Sequence, residues 1–194
     1  MQVRVRQGDT LWYYSQLFGL PLMLLVDSNP QLNPGALQIG QAVNIPGFAA
    51  ASYEVQPGDT MWTIAQRRGL SVDALLLLNP GIDPARLSIG QTLAVPQRVT
   101  WRIVQARDGY TSSMMLADLQ RLTDLYPFVR RRDIGASVMN KPIPELRIGR
   151  GAKQVHWNAS MHANEWITTP VLVQFLNDYL LALTNWGNIR GLEL

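Results

Sequence analysis

Short stretches with two-residue apolar alternation are interleaved with short helical patterns from the first residues, and the order recurs fifty positions on. The period-two stretches Val3 to Arg6 and Tyr53 to Gln56 predict strands. Each meets Gly-Asp-Thr, whose Asp and Thr suit the N-cap of a following helix, and Gly19 and Gly69 end that helix. A second helix is expected from Pro21 in one copy and from Ser71 in the other. Asn29-Pro30 and Asn79-Pro80 stop it. A polar loop then leads through Leu-x-Ile-Gly-Gln to a closing strand ending at Pro46 or Pro96. The predicted order is β-α-α-β, twice.

The small residues of 47–52 read as a linker able to flex or to lie flat, and 97–100 as a shorter joint. Beyond it, Thr111-Ser112-Ser113 caps a helix whose apolar positions Met115, Leu116, Leu119, Leu122 and Tyr126 share one face. The run Arg130-Arg131-Arg132 reads as a solvated loop. Arg132 to Val138 and Ile143 to Ile148 are expected to pair around Met139-Asn140-Lys141-Pro142. Val155, Trp157 and Ala159 alternate as a buried strand, which turns at Ser160 to His162 into a long apolar helix over Val171 to Leu183.

The two copies, 3–46 and 53–96, align without a gap and agree at about seventeen of forty-four positions, so the module is duplicated. Gly-Asp-Thr, Asn-Pro and Ile-Gly-Gln at these separations resemble the LysM domain, a small module that binds N-acetylglucosamine-containing glycans. The resemblance implies LysM domains at 2–46 and 53–97, each with a shallow groove between its first turn and the loop after its second helix. Gly8, Asp9, Thr10 and Leu11 would then face Pro30, Gln31 and Leu32, and Gly58, Asp59, Thr60 and Met61 would face Pro80, Gly81 and Ile82. Structural roles compete at each position: Asp9 and Thr10 serve as caps, and Pro30 as a helix end. Trp12 and Trp62 are expected to pack on the first helix and not on sugar. Two weak sites on one polymer gain from effective concentration, a physical reason to duplicate the module.

In the third region, His162 and Glu165 are three apart, and residues so spaced lie on one side of a helical turn. An imidazole and a carboxylate placed so can converge on a zinc ion. The stretch His162-Ala163-Asn164-Glu165-Trp166-Ile167-Thr168 resembles the first zinc motif of the carboxypeptidase A-like metallopeptidases, and Ile134-Gly-Ala-Ser137 with Lys141-Pro142-Ile143 resembles the hairpin preceding it. The resemblance implies Zn2+ held by His162 and Glu165, in an incomplete α/β domain with a mixed sheet spanning 101–194. Asn164, where animal members carry arginine, fits the bacterial branch, including γ-D-glutamyl-diaminopimelate peptidases linked to sporulation. A complete site in that family also needs a second zinc histidine well downstream, an arginine for the carbonyl oxygen and a glutamate near its C-terminus, and the twenty-nine residues after Glu165 are read as supplying none of them. The chain is therefore expected to be an N-terminal part, inactive by itself. His156 is expected to be a core or surface histidine and not a second ligand.

Composition sets the remaining limits. Apolar residues make up 47% and charged residues 16%, as in a folded protein. A net charge of +3 suits an anionic polymer such as cell wall but is too small to imply nucleic acid. With no cysteine, disulfides and thiolate metal sites are excluded. Gln174, Asn177 and Asp178 interrupt the most apolar tract, so no membrane span is expected. Met1 to Arg6 lacks the apolar core of a signal peptide, which points to cytoplasmic synthesis with release during sporulation or non-standard export. The function expected is that of a peptidoglycan-binding zinc peptidase acting on the stem peptide. The competing expectation is a non-catalytic wall or spore glycan-binding protein.

Overall fold

The computed structural model describes residues 1–162, 164–189 and 192–193. They form two compact units, Met1–Val99 and Thr100–Leu194.

In the first unit, β1 (Gln2–Arg4) pairs antiparallel with β2 (Ala42–Asn44), closing the first copy around α1 (Leu11–Phe18) and α2 (Leu22–Asp27). Thr10 caps α1 by accepting from the Tyr13 N–H at 3.0 Å. Gly19 ends it in the left-handed region (φ 55°), where a Cβ would be strained. The second copy repeats the design. β3 (Phe48–Glu54) pairs with β4 (Thr92–Arg98) around α3 (Met61–Arg67) and α4 (Val72–Leu78), and Thr60 and Ser71 cap the two helices. Thr60 and Thr63 form a reciprocal capping box.

The Asn-Pro pairs do more than end helices. Asn29 is 1% exposed, and its amide donates to the Leu25 and Asn44 carbonyls while its oxygen accepts from the Asn44 N–H. Asn79 repeats these bonds with Leu75 and Ala94. One buried amide thus ties the end of the second helix to the closing strand, with both of its N–H groups donating and its oxygen accepting once.

Residues 47–52 depart from the expected linker. Gly47 accepts from the Val99 N–H, and 48–52 extend β3, so that Phe48 to Glu54 pair in register with Arg98 to Thr92. Small side chains permit a strand here as readily as a loop, and β4 supplies the ladder. Phe48 is 2% exposed and enters the first copy's core, edge-on to Phe18 at 5.1 Å. That core also takes Ala74 and Leu77 from α4 of the second copy, whereas Leu75 points into the second copy's own core. The Leu75-to-Leu78 run reflects a helix with apolar neighbours on two sides.

In the second unit, α5 (Ser112–Leu125) is capped by Thr111 and buries Leu119 and Leu122. It contacts α6 (Thr168–Thr184). Buried Asp118 sits on α5, held by the Tyr110 hydroxyl at 2.8 Å and by Arg121. The three polar residues that interrupt α6 grip the segment before α5. Asn177 accepts from the Ile103 and Val104 N–H groups at 2.9 Å each, Gln174 accepts from Ala106 N–H at 2.8 Å, and Asp178 pairs with Arg102. Among the described residues no helix is long and apolar enough to cross a membrane.

β5 (Arg130–Ala136) and β6 (Pro142–Arg147) form the expected hairpin, with an irregularity between Asp133 and Gly135. The arginine run lies inside β5 and not in a loop: alternation lets its side chains reach out while the backbone pairs, and Arg132 meets Glu145 across the strands. The expected strand over Val155 to Ala159 does not form. Val155 and Trp157 are exposed, and among the described residues no strand pairs with this stretch. The expected mixed sheet is correspondingly replaced by two-stranded antiparallel sheets, β5 with β6 and the short β7 (Asn188–Ile189) with β8 (Leu192–Glu193). An apolar alternating stretch becomes a buried strand only where neighbouring strands accept its hydrogen bonds.

Candidate functional site

The third region brings the two candidate metal ligands together. The described residues Ser160 to His162 and Asn164 to Thr168 turn back on themselves ahead of α6, with Glu165 N–H donating to His162 C=O at 3.0 Å and Thr168 N–H to Glu165 C=O at 2.9 Å. Ser160, in the left-handed region at φ 54°, anchors this turn. Its N–H donates to Thr168 Oγ1 at 2.8 Å, and its hydroxyl donates to the Glu165 carbonyl at 3.1 Å. The result places His162 Nδ1 2.7 Å from Glu165 Oε1. Both side chains reach solvent, the imidazole more than the carboxylate. His156 is exposed and takes no part.

An imidazole nitrogen and a carboxylate oxygen on one side of a turn fit two positions of a zinc ion with N and O ligands. Among the described residues no group of three His, Asp or Glu converges, so this turn offers two donors and not a closed set.

In the first unit the candidate glycan residues divide by burial. Gly8, Thr10, Pro30 and Gln31 are exposed, as are Gly58, Thr60, Pro80 and Gly81. Leu11 and Met61 are each 2% exposed and fill the two cores, so their side chains are not offered to a ligand. Leu32 and Ile82 rest half-buried on those same cores, which joins the two candidate walls of each groove at their base. The tryptophans correct the expectation: Trp12 and Trp62 are each 63% exposed. Each stands one residue beyond the buried Leu11 or Met61, on the outward side of its helix.

Asp9 and Asp59 cap their turns in another way. Asp9 accepts from Arg6 N–H at 2.9 Å and from the Tyr14 hydroxyl at 2.6 Å. Burial would raise its carboxyl, but the bonds from Arg6, Tyr14 and the Arg6 backbone outweigh that and hold it below the ordinary value. Asp59 accepts from Gln56 N–H, from the Tyr53 hydroxyl and from Arg67. Both aspartates carry out turn-forming work, and sequence reading alone could not separate that from ligand contact.

Other polar pairs cross from one copy to the other. The Arg6 guanidinium donates from Nη1 to Asp73 Oδ1 at 2.8 Å and from Nη2 to Asp73 Oδ2 at 2.7 Å, and the Tyr13 hydroxyl also donates to Asp73. Arg98 donates to the Phe18 carbonyl and to that of Gly19 at 3.3 Å, and it lies over the Phe48 ring. The signal lies in what the repeat does not share: Arg6, Tyr13 and Asp73 align with Gln56, Thr63 and Met23.

Comparison with known proteins bears on both regions. Residues 3–46 and 53–96 match the LysM domain family, and residues 115–190 match the zinc carboxypeptidase family. The whole chain is 61% identical to gamma-D-glutamyl-L-diamino acid endopeptidase 1 of Lysinibacillus sphaericus, covering 49% of that protein. Over 76 residues it is 45% identical to the uncharacterized protein YqgT of Bacillus subtilis (strain 168), covering 20% of it. The chain thus spans about half the length of the first of these relatives and less of the second. A crystal structure of the LysM domain from Volvox carteri chitinase is 56% identical, covering 25% of this chain with a TM-score of 0.24.

Proposed function

We propose, for a chain that combines two LysM domains with part of a zinc carboxypeptidase domain, that it is the wall-anchoring and metal-initiating portion of a peptidoglycan endopeptidase. The reading takes the γ-D-glutamyl-diamino acid bond of the stem peptide as the bond cut. It rests chiefly on one observation, 61% identity along all 194 residues to an endopeptidase named for that specificity.

The division of labour follows from the two units. The LysM pair holds N-acetylglucosamine-containing glycan through the turns at Gly8 to Thr10 and Gly58 to Thr60 with the loops at Pro30 to Leu32 and Pro80 to Ile82. His162 and Glu165 supply an imidazole and a carboxylate to zinc, which when bound acidifies a water and polarises the amide carbonyl. Ser160 and Thr168 keep the turn closed so that these donors stay on one side. The remaining ligand and the base come from residues outside this set. The protein would act in the wall or spore peptidoglycan.

The test uses the protein extended to the length of the relative. Zinc content and hydrolysis of a γ-D-glutamyl-diaminopimelate tripeptide should both fall at least a hundredfold in His162→Ala and Glu165→Ala. Sacculus binding should persist in both. Binding to sacculi with no hydrolysis by the parent protein would favour the non-catalytic wall-binding reading. Release of only C-terminal residues from ordinary peptides would replace the proposed bond by another.

A further inference from the structure

A cleft of about 620 Å³ opens in the first unit between residues 6–10, Trp12 and Tyr13 of the first LysM copy and Asp73 on α4 of the second. It shares the Gly8 to Thr10 turn with the groove proposed within the first copy, but its other wall is Asp73 of the second copy and not Pro30, Gln31 and Leu32. We propose that this cleft is an additional carbohydrate subsite built jointly by the two copies, taking one neutral N-acetylated hexose unit of a glycan chain. It rests on the glycan-binding reading of the LysM pair.

Three features of the cleft carry the assignment. Trp12 presents an indole that is 63% exposed, although a side chain of this size gains from burial, and an open aromatic face is what the C–H groups of a pyranose ring stack on. Beside it, Gln7 is exposed and its amide makes no hydrogen bond among the described residues, leaving a donor and an acceptor for hydroxyl or acetamido groups. The third feature is the state of the charges. Arg6 gives Nε to Asp9, Nη1 to Asp73 and Nη2 to both, and the tyrosine hydroxyls of residues 13 and 14 bond to Asp73 and Asp9. Every carboxylate oxygen in the wall has a donor already. A guanidinium shared by two carboxylates leaves a net negative cluster with no free cation for a phosphate or carboxylate. Each of its four carboxylate oxygens already accepts a hydrogen bond, so the cluster does not call for a metal. A polar, uncharged ligand with one apolar face is what remains.

The second copy does not repeat this cleft. Its Asp59 is held by Tyr53 and by Arg67 of its own α3, and Asp73 has Met23 as its counterpart. The two copies are therefore unequal, and α4 of the second forms one wall of a site on the first.

The experiment is calorimetric titration of the 194-residue chain with the β-1,4-linked N-acetylglucosamine tetramer, with thermal melting of each variant. Trp12→Ala should weaken binding about tenfold without moving the melting midpoint, and Trp12→Phe should restore most of it. Gln7→Ala should weaken binding several-fold. Asp73→Glu keeps the partner of Arg6 but pushes a carboxylate one methylene into the cleft, and should also weaken binding several-fold. A tetramer of the same length bearing a free muramic acid carboxylate should bind less tightly than the neutral one. Parent-like affinity in Trp12→Ala, Gln7→Ala and Asp73→Glu would overturn the cleft while leaving the single-copy grooves standing, as seen by sacculus binding. Tighter binding of the anionic tetramer would overturn the neutral class. A parent chain that binds neither sacculi nor tetramer would overturn both this subsite and the glycan reading beneath it.

Discussion

Arg6 and Asp73, sixty-seven residues apart in different LysM copies, meet through two parallel hydrogen bonds of 2.8 and 2.7 Å. Fork-to-carboxylate geometry fixes orientation as well as proximity, which a lysine could not do. With the Ala74 and Leu77 contacts and the β3–β4 ladder, it makes residues 1–99 one unit and not two beads on a string.

Removing the carboxylate should therefore be felt, though modestly. Both partners keep about a third or more of their side-chain surface in water, so screening limits the pair to roughly 1 kcal/mol. Asp73→Ala should lower the stability of the first unit by about that amount in urea unfolding. Arg6→Lys should lose most of it too, because one ammonium cannot replace the fork.

A larger effect is expected from Leu77. Its side chain is 5% exposed and lies in the core of the neighbouring copy, so truncation leaves a cavity there. Leu77→Ala should cost about 2–4 kcal/mol, in the range measured for buried leucine. Scanning calorimetry should register the loss as a shift of a single transition for residues 1–99, since both copies share the contact. Two separate transitions, with only the second displaced, would contradict the shared core.

Acid should weaken the same unit. The Asp73 carboxyl is held below its ordinary value of 3.8 by the Arg6 hydrogen bonds against an opposing burial effect, and that of Asp9 lies lower too, its bonds outweighing burial. As pH falls, the unfolded chain takes up these protons before the folded one does. The stabilisation is thus complete above about pH 4 and is lost as pH drops through the depressed values. Melting midpoints between pH 6 and 2 should decline mainly below pH 4, and Asp73→Asn should flatten part of that decline.

In the second unit Asn177 is the position to probe. It is fully buried, and its oxygen satisfies two backbone N–H groups, those of Ile103 and Val104. Asn177→Leu keeps the volume but strands both donors, and should destabilise the unit by about 2–4 kcal/mol. Asn177→Asp, which preserves the acceptor, should cost less at neutral pH than Asn177→Leu. The exposed change Val171→Ala on the same helix serves as the neutral control.

Much of this was legible beforehand because it is local. Thr10, Thr60, Ser71 and Thr111 each sit where the pattern puts a cap, and each accepts the expected N–H. His162 and Glu165 lie three apart on one turn, and in that turn, held by Ser160 and Thr168, they come to 2.7 Å. Polar interruptions of an apolar helix were a visible signal too, but their partners were not, since Asn177 reaches residues more than seventy positions away.

The sequence by itself determined the duplication, the β-α-α-β order, the helix ends and the juxtaposition of one imidazole with one carboxylate. Each follows from turn chemistry or side-chain period within a few residues. Tertiary structure alone decided that 48–52 become strand, that the Val155 to Ala159 stretch stays unpaired, that both Trp12 and Trp62 face solvent, and that α4 serves its neighbour's core as well as its own. Such outcomes depend on which distant surface is available to accept a hydrogen bond or an apolar side chain, and a repeated sequence gives the same local pattern to positions whose neighbours differ.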